Sequence, residues 1–273
     1  MPLSTALLSR FQVTFAFLVM SFAMLWTPLG QHAFLFENWM KLGTFMAPFL
    51  LLVAAACRQD ASKRHWAKDP TVLSLLMLVA YIMHQFEEHW IDLYGNNYAF
   101  HGSVNRLLRE VVSTESDVLT PASIFVINTS LVWLVGALAI WRSARHLFPM
   151  LAMAAIVVVN GLVHIVLGVL KLSYNPGLFT SVVVFLPAGG YVLRSAVQNG
   201  LCSLQHIWAS IAWAVLAHIL MFAGLIAGNG MGLFPEISYF IALIGWSIVP
   251  ALIFRESSGR SAAHGSLDVA HSG

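Results

Sequence analysis

The chain has 273 residues, of which 59% are hydrophobic and only 10% are charged. Soluble domains carry about 25% charged residues, so most of this surface must face lipid rather than water. Two cysteines are too few for a disulfide framework, and a net charge of +2 without a basic cluster interleaved with aromatic residues argues against a nucleic-acid partner. The composition therefore predicts an integral membrane protein.

Apolar segments of spanning length recur along the whole chain. A spanning helix needs about 20 mostly apolar residues, and eight segments meet or approach that length. They are Phe11–Leu29, Leu42–Cys57, Val72–Trp90, Pro121–Trp141, Met150–Leu172, Phe179–Leu193, Leu204–Gly228 and Ile237–Phe254. No small-residue cleavage site follows the first segment, so we interpret it as a span rather than a removed leader. The predicted fold is an all-α polytopic transmembrane bundle of about eight spans.

The polar connections predict the orientation of these spans. Lysine and arginine favour cytoplasmic loops, and eight spans place the basic segment 58–69 on the same side as both termini, which we therefore expect to be cytoplasmic. Residues 1–255 are predicted to form one transmembrane domain, and the Ser- and Gly-rich segment 256–273 a disordered cytoplasmic tail. Within the acidic loop 91–120, the stretch Ser103–Val112 is expected to form an amphipathic helix at the membrane interface.

A run of ionisable residues interrupts the third predicted span, with His84 followed by Glu87, Glu88 and His89. A charged side chain in the middle of a membrane costs about 2.5–3.5 kcal/mol on insertion scales, so such residues usually serve a function. Residues three and four apart share one face of a helix. The Glu-x-x-His pairs of di-iron bundles use the same geometry in reverse order. The spacing therefore predicts that His84, Glu87 and Glu88 bind one or two metal ions.

Polar residues on three other predicted spans fall at a similar depth. At about 1.5 Å per residue from the span ends, they form one layer with His84 and Glu88 in the outer half of the bilayer. These residues are Asn128, Asn160, His164 and His218. We expect the histidines to be metal ligands and the asparagines to be weaker ligands or hydrogen-bond donors. His89 and His206 lie nearer the span ends, where ionisable residues are tolerated, and are interpreted as interfacial.

The run His84-Gln-Phe-Glu87-Glu88 resembles the signature of the HXXEE domain family, membrane proteins named for that motif. The later stretches Asn160-Gly-Leu-Val-His164 and Tyr174-Asn-Pro-Gly177, followed by a span that contains Pro187, resemble the second half of the family. The resemblance covers about residues 70–200. It implies a membrane-embedded site that includes His84, Glu87, Glu88, Asn160 and His164, and it implies no particular substrate.

These observations favour a membrane-embedded metalloenzyme that acts on a lipid or another apolar molecule. Imidazole and carboxylate ligands suit iron or zinc, which would support oxidation with an electron donor as partner, or hydrolysis through an activated water. Glu87 is the expected general base, and the 92–120 loop could cover the site. Two alternatives remain open: a proton- or cation-coupled transporter, and a metal-free acid–base isomerase. The composition and loop charges are those expected of a bacterial inner-membrane protein.

Overall fold

The computed structural model describes residues 10–21, 33–60 and 68–252, and within these ranges all regular structure is helical. We number the helices α1 to α9 in chain order. They are α1 Arg10–Ser21, α2 Ala33–Asp60, α3 Pro70–His89, α4 Ala99–Val112, α5 Pro121–Arg142, α6 Phe148–Lys171, α7 Leu178–Gln198, α8 Leu204–Gly230 and α9 Glu236–Leu252. The all-α fold predicted from the sequence is confirmed.

Six of the described helices are long and apolar enough to cross a membrane, namely α2, α3, α5, α6, α7 and α8. Helices α1 and α9 are shorter apolar helices, and α4 is the predicted amphipathic one, beginning at Ala99 rather than Ser103. The bundle is therefore that of an integral membrane protein. Among the described residues, the six long and two shorter apolar helices agree with the predicted count of about eight spans. Segment 256–273 lies outside the described residues. The orientation and the single-domain boundary stay predictions.

Helix α2 begins well before the predicted second span, which was placed at Leu42–Cys57. Its first turns contain polar residues that resemble a loop in sequence, but their side chains are satisfied along the helix. Asn38 donates to the Phe34 carbonyl and accepts from the Lys41 ammonium, both at 2.8 Å. That ammonium also lies 5.5 Å from the centre of the Trp90 ring, a distance typical of a cation–π contact.

The helices that carry the predicted site have well-defined starts. Asp69 caps α3 by accepting from the backbone N–H groups of Thr71 and Val72, and a proline follows it at the first helical position. Thr120 caps α5 in the same way by accepting from the Ser123 N–H, again with a proline next. These caps fix the register of α3 and α5 and hence the direction in which their polar side chains point.

Helices α3 and α5 form the centre of the bundle, because they are the two most buried of the six long apolar helices. The other long helices surround them and turn large apolar side chains outward. Phe45 on α2 and Leu170 on α6 are each 75% exposed, which is the pattern of a surface that faces lipid rather than water. The ionisable residues of α3 are therefore enclosed by protein in the middle of the bundle.

Candidate metal centre

Three of the predicted site residues meet inside the bundle. On α3, His84 Nε2 lies 3.4 Å from Glu88 Oε2, and on α6, His164 Nε2 lies 3.3 Å from Glu88 Oε1. One ligand atom from each residue falls within 4.8 Å of the other two. All three side chains are buried. The i, i+4 spacing on α3 thus positions an imidazole and a carboxylate together, and α6 supplies a second imidazole.

The tautomer of His84 is fixed by its other nitrogen. Nδ1 lies 2.8 Å from the Thr180 hydroxyl, and that hydroxyl donates to Glu87 Oε2 at 2.5 Å. Because the hydroxyl has only one hydrogen and gives it to the carboxylate, it must accept from His84 Nδ1–H. The Nε2 lone pair of His84 therefore faces Glu88 and the Asn160 amide nitrogen, which lies 3.3 Å away. The ring is also held in place by stacking on Phe185, with centroids 4.1 Å apart.

His164 is oriented in the same way by a different residue. Its Nδ1 lies 2.8 Å from Asn175 Oδ1, while Asn175 Nδ2 donates to the His164 carbonyl at 3.0 Å. The second bond fixes which end of the amide faces the ring, so Nδ1 of His164 carries a hydrogen and donates it. Both imidazoles therefore present unprotonated Nε2 atoms to Glu88. Outer partners of this kind, which set ring orientation and tautomer, are typical of metal-ligating histidines.

This arrangement brings electron pairs together. Two Nε2 lone pairs face the oxygens of one carboxylate at 3.3 and 3.4 Å, and acceptors at that distance repel unless a cation or a proton lies between them. Two imidazole nitrogens and one carboxylate oxygen form a donor set that suits zinc or iron. The described ligand cluster contains no cysteine, which argues against a soft metal such as copper(I).

Glu87 is directed away from the cluster and binds the start of α7. Its Oε2 accepts from the Thr180 N–H at 2.7 Å as well as from the Thr180 hydroxyl, and its Oε1 accepts from the Phe179 N–H at 3.1 Å and the Tyr174 hydroxyl at 2.9 Å. These N–H groups belong to the first turn of a helix, which lacks internal partners and attracts negative charge. The structure therefore does not bring Glu87 to the ligand atoms. The Thr180 hydroxyl instead connects Glu87, the expected general base, to His84 Nδ1.

The loop before α7 strengthens this connection. The Tyr174 hydroxyl accepts from the Leu93 N–H at 3.0 Å while it donates to Glu87. Burial, followed by the contact with Glu87, raises the pKa of Tyr174 well above its usual range, although the Leu93 hydrogen bond acts in the opposite direction. The hydroxyl therefore stays protonated as a donor at neutral pH. Glu87 thus connects α3 to the start of α7 and, through Tyr174, to the loop after α3 and the loop before α7.

Gly177 explains why the turn before α7 can lie so close to the two histidines. Its φ is +92°, a conformation that suits glycine. A Cβ at this position would lie 2.7 Å from Cε1 of His84 and 2.8 Å from Cε1 of His164. The backbone at Gly177 thus lies against both imidazole rings. The Tyr174-Asn-Pro-Gly177 stretch noted in the sequence serves to bring Thr180 and Asn175 to the imidazoles.

His89 belongs to the site, although its position near a span end suggested an interfacial residue. It is buried, and its Nε2 lies 2.9 Å from Glu88 Oε2. A directed chain reaches the same nitrogen: the Trp133 indole donates to Gln85, Gln85 donates to Asn128, and the Asn128 amide nitrogen lies 3.2 Å from His89 Nε2. Asn128 and Glu88 thus both contact His89 Nε2. In the sequence, the position of His89 within the run of ionisable residues was the feature that indicated a role in the site.

The predicted polar layer opens on a cavity of about 240 Å³ bounded by α3, α4, α5, α6 and α8. Polar residues from four helices line it, namely Glu88, His89, Asn128, Asn160, His164 and His218. Asn160 Nδ2 lies 3.3 Å from His84 Nε2. His218 donates from Nδ1 to the Ala214 carbonyl at 2.8 Å and remains outside the three-residue cluster. His206, expected to lie outside the site, is exposed and pairs with Ser203.

Two segments of π-helix adjoin the polar residues. One runs over Asn128–Leu134 in α5 and the other over Ser181–Phe185 in α7. Such widened turns are rare and are frequent at functional sites. The first starts at the residue that contacts His89, and the second starts directly after Thr180. Helical periodicity alone would not have placed these side chains correctly.

The comparisons with known proteins agree with the resemblance seen in the sequence. The family model described as a protein of unknown function with HXXEE motif matches residues 75–192. No curated protein and no solved structure gives a significant match. The matched region contains His84, Glu87, Glu88, His164 and the turn that orients them. Over residues 75–192, the chain is similar to the HXXEE family.

Proposed function

We propose that the protein is a membrane-embedded metalloenzyme that binds one divalent ion through His84 Nε2, His164 Nε2 and Glu88. The main support is the pair of imidazoles whose tautomers are set by Thr180 and Asn175, so that both lone pairs face one carboxylate. Two nitrogens and one oxygen leave coordination positions open for water or substrate, as catalytic sites require. Glu87 is bound to α7, so a single ion fits this arrangement better than a pair.

The reaction proposed is oxidation or hydrolysis of a lipid or other apolar molecule. The ligand cluster borders a cavity whose walls are largely aliphatic and aromatic, so an apolar substrate would reach the ion without crossing water. Zinc would supply an activated water for hydrolysis, and iron would supply oxidative chemistry that draws on an electron donor. Helix α4 contributes Phe100, Val104 and Leu107 to the cavity wall, which fits a covering role for the 92–120 region. We place the protein in a bacterial inner membrane, on its composition and loop charges.

Metal content tests this proposal. Protein purified in detergent without chelators is analysed by inductively coupled plasma mass spectrometry, as wild type, Glu88→Gln and His206→Ala. We expect about one iron or zinc ion per chain in wild type, its loss in Glu88→Gln, and its retention in His206→Ala, because that histidine is exposed and remote. Bound iron would favour oxidation, and bound zinc would favour hydrolysis.

Two outcomes would refute the metalloenzyme. One is folded wild type that binds no ion, even after iron or zinc is added. The other is a Glu88→Gln variant with the metal content of wild type. Either outcome would favour the metal-free isomerase or the transporter, in which the same residues move protons.

A further inference from the structure

The cavity beside the ligand cluster has a size, a charge and a shape that restrict what can occupy it. An apolar cavity of about 150 Å³ is sufficient for benzene, so the 240 Å³ present here corresponds to about ten non-hydrogen atoms. A phospholipid is several times larger and could not enter as a whole. The cavity therefore encloses a small molecule or one short segment of a larger one.

Without the ion, the lining carries no group that would neutralise an anionic ligand. Among the described residues that form the cavity, none is lysine or arginine, and Glu88 is the only carboxylate. A phosphate or carboxylate placed here would lose its hydration and face Glu88 at short range, which is unfavourable in an apolar environment. The metal-free cavity thus selects for neutral molecules.

On α5 and α6 the polar residues lie partway along the cavity, whereas His218 lies at one end of the α8 lining. On α6 the lining side chains run from Ile156 to Leu167, about 16 Å along the helix axis. Asn160 and His164 lie between these two apolar residues. On α5, Asn128 likewise lies between lining residues on both sides. A bound molecule would therefore have its polar or reactive group within it, flanked by apolar parts.

From these three features we infer that the metal-free cavity binds a neutral, mainly apolar molecule or segment of about ten non-hydrogen atoms, with an internal polar or reactive group held beside Glu88 and His164. This inference rests on the proposed function for the role of the site as catalytic. The binding that it requires does not depend on the ion. It can therefore be tested on metal-free protein.

Two probes of nearly equal shape separate charge from size: 2-propylpentanamide, which is neutral, and 2-propylpentanoate, which is anionic, each with about ten non-hydrogen atoms and a central polar group. Thermal unfolding of chelator-treated protein in phospholipid nanodiscs is measured with each probe. A ligand that binds only the folded state raises the unfolding midpoint. We expect the amide to raise it by at least about 2 °C and the carboxylate to leave it unchanged.

A pair of variants on α4 locates the binding. Leu107→Trp fills the cavity, whereas Val111→Trp, one turn further, introduces the same side chain at a position 62% exposed. The amide should stabilise Val111→Trp as it does wild type and should not stabilise Leu107→Trp. The inference is overturned if the amide does not stabilise wild type, if the carboxylate stabilises it equally, or if Leu107→Trp keeps the response. Metal content, measured separately, reports on the proposed function, so the two failures are distinguishable.

Discussion

The hydroxyl of Thr180 is the smallest group on which the geometry of the site depends. It accepts from His84 Nδ1 and donates to Glu87 Oε2. Replacement of Thr180 by valine keeps the branched shape but leaves the buried His84 N–H without an acceptor and removes one donor from Glu87. We predict that Thr180→Val weakens metal binding while the bundle still folds.

The size of this effect follows from the bonds that are lost. A hydrogen bond to a charged group contributes about 1.5–3 kcal/mol, and a buried donor left without a partner costs about 1–3 kcal/mol. Loss of a partner that orients a ligating histidine lowers metal affinity by about 10–100-fold, which is about 1.4–2.7 kcal/mol. The two ranges agree, so a loss of 10–100-fold is expected.

Competition with a chromophoric chelator for zinc, in detergent, measures this change. Wild type, Thr180→Val and Thr180→Ser are compared, because serine keeps the hydroxyl and removes only a methyl group. We expect the serine variant to bind zinc nearly as tightly as wild type. Wild-type affinity in Thr180→Val would refute the role of the hydroxyl. An equal loss in both variants would show that packing of the methyl group matters instead.

Three further predictions concern the surroundings of the site. Gly177→Ala places a methyl group against both imidazoles at a positive φ, so it should abolish metal content while circular dichroism still shows a helical protein. Asn105→Ala leaves backbone groups of Val118 and Leu119 without their partner, at about 1–3 kcal/mol each, and hydrogen exchange should accelerate at those two amides; unchanged exchange would contradict this. Burial raises the pKa of Asp92, but hydrogen bonds within its turn outweigh this and lower it overall. The stability from Asp92 is therefore present above its unfolded pKa of about 3.9 and is lost as the pH falls through the lower folded value, so Asp92→Asn should flatten the acid side of a thermal-unfolding profile.

The hydrophobic pattern was sufficient to predict the helices because lipid imposes a simple rule on composition. Apolar runs of spanning length must be helical when water cannot satisfy the backbone, and the predicted spans correspond to observed helices over the described residues. The start of α2 was missed because Asn38 and Lys41 resemble loop residues. Their side chains bond to each other along the helix, and a sequence pattern does not show such pairing.

The site was predictable in part, for a different reason. Helical spacing placed His84 and Glu88 on one face. The depth argument placed His164, Asn160, Asn128 and His218 in one layer, and all four line the cavity. Spacing could not show that the turn before α7 folds back to α3. Thr180 and Asn175, which set the two tautomers, are small polar residues that carry no periodic signal. Their role appears only when residues about 90 positions apart are brought together by the fold, as with Thr180 and Glu87.

Glu87 and Glu88 are adjacent and chemically identical, yet their surroundings predict opposite results for the same substitution. Glu87 accepts four hydrogen bonds. An amide at that position would turn a donor toward two of those donors, at about 1–3 kcal/mol for each group left unpaired. Glu88 instead lies beside His89 and faces the acceptor atoms of His84 and His164, so an amide there can donate to one of them. Glu87→Gln should therefore lower the unfolding midpoint of metal-free protein by at least about 4 °C.

Glu88→Gln should leave that midpoint unchanged or raise it, since it replaces repulsion between acceptors by a hydrogen bond, and yet it should abolish metal binding. The two readouts, melting without metal and metal content, thus separate a carboxylate that holds the helices together from one that holds an ion. The reverse pattern, with Glu88→Gln destabilised and Glu87→Gln unable to bind metal at full stability, would mean that Glu87 is the ligand. It would also mean that the carboxylate bound to α7 had been assigned to the wrong residue.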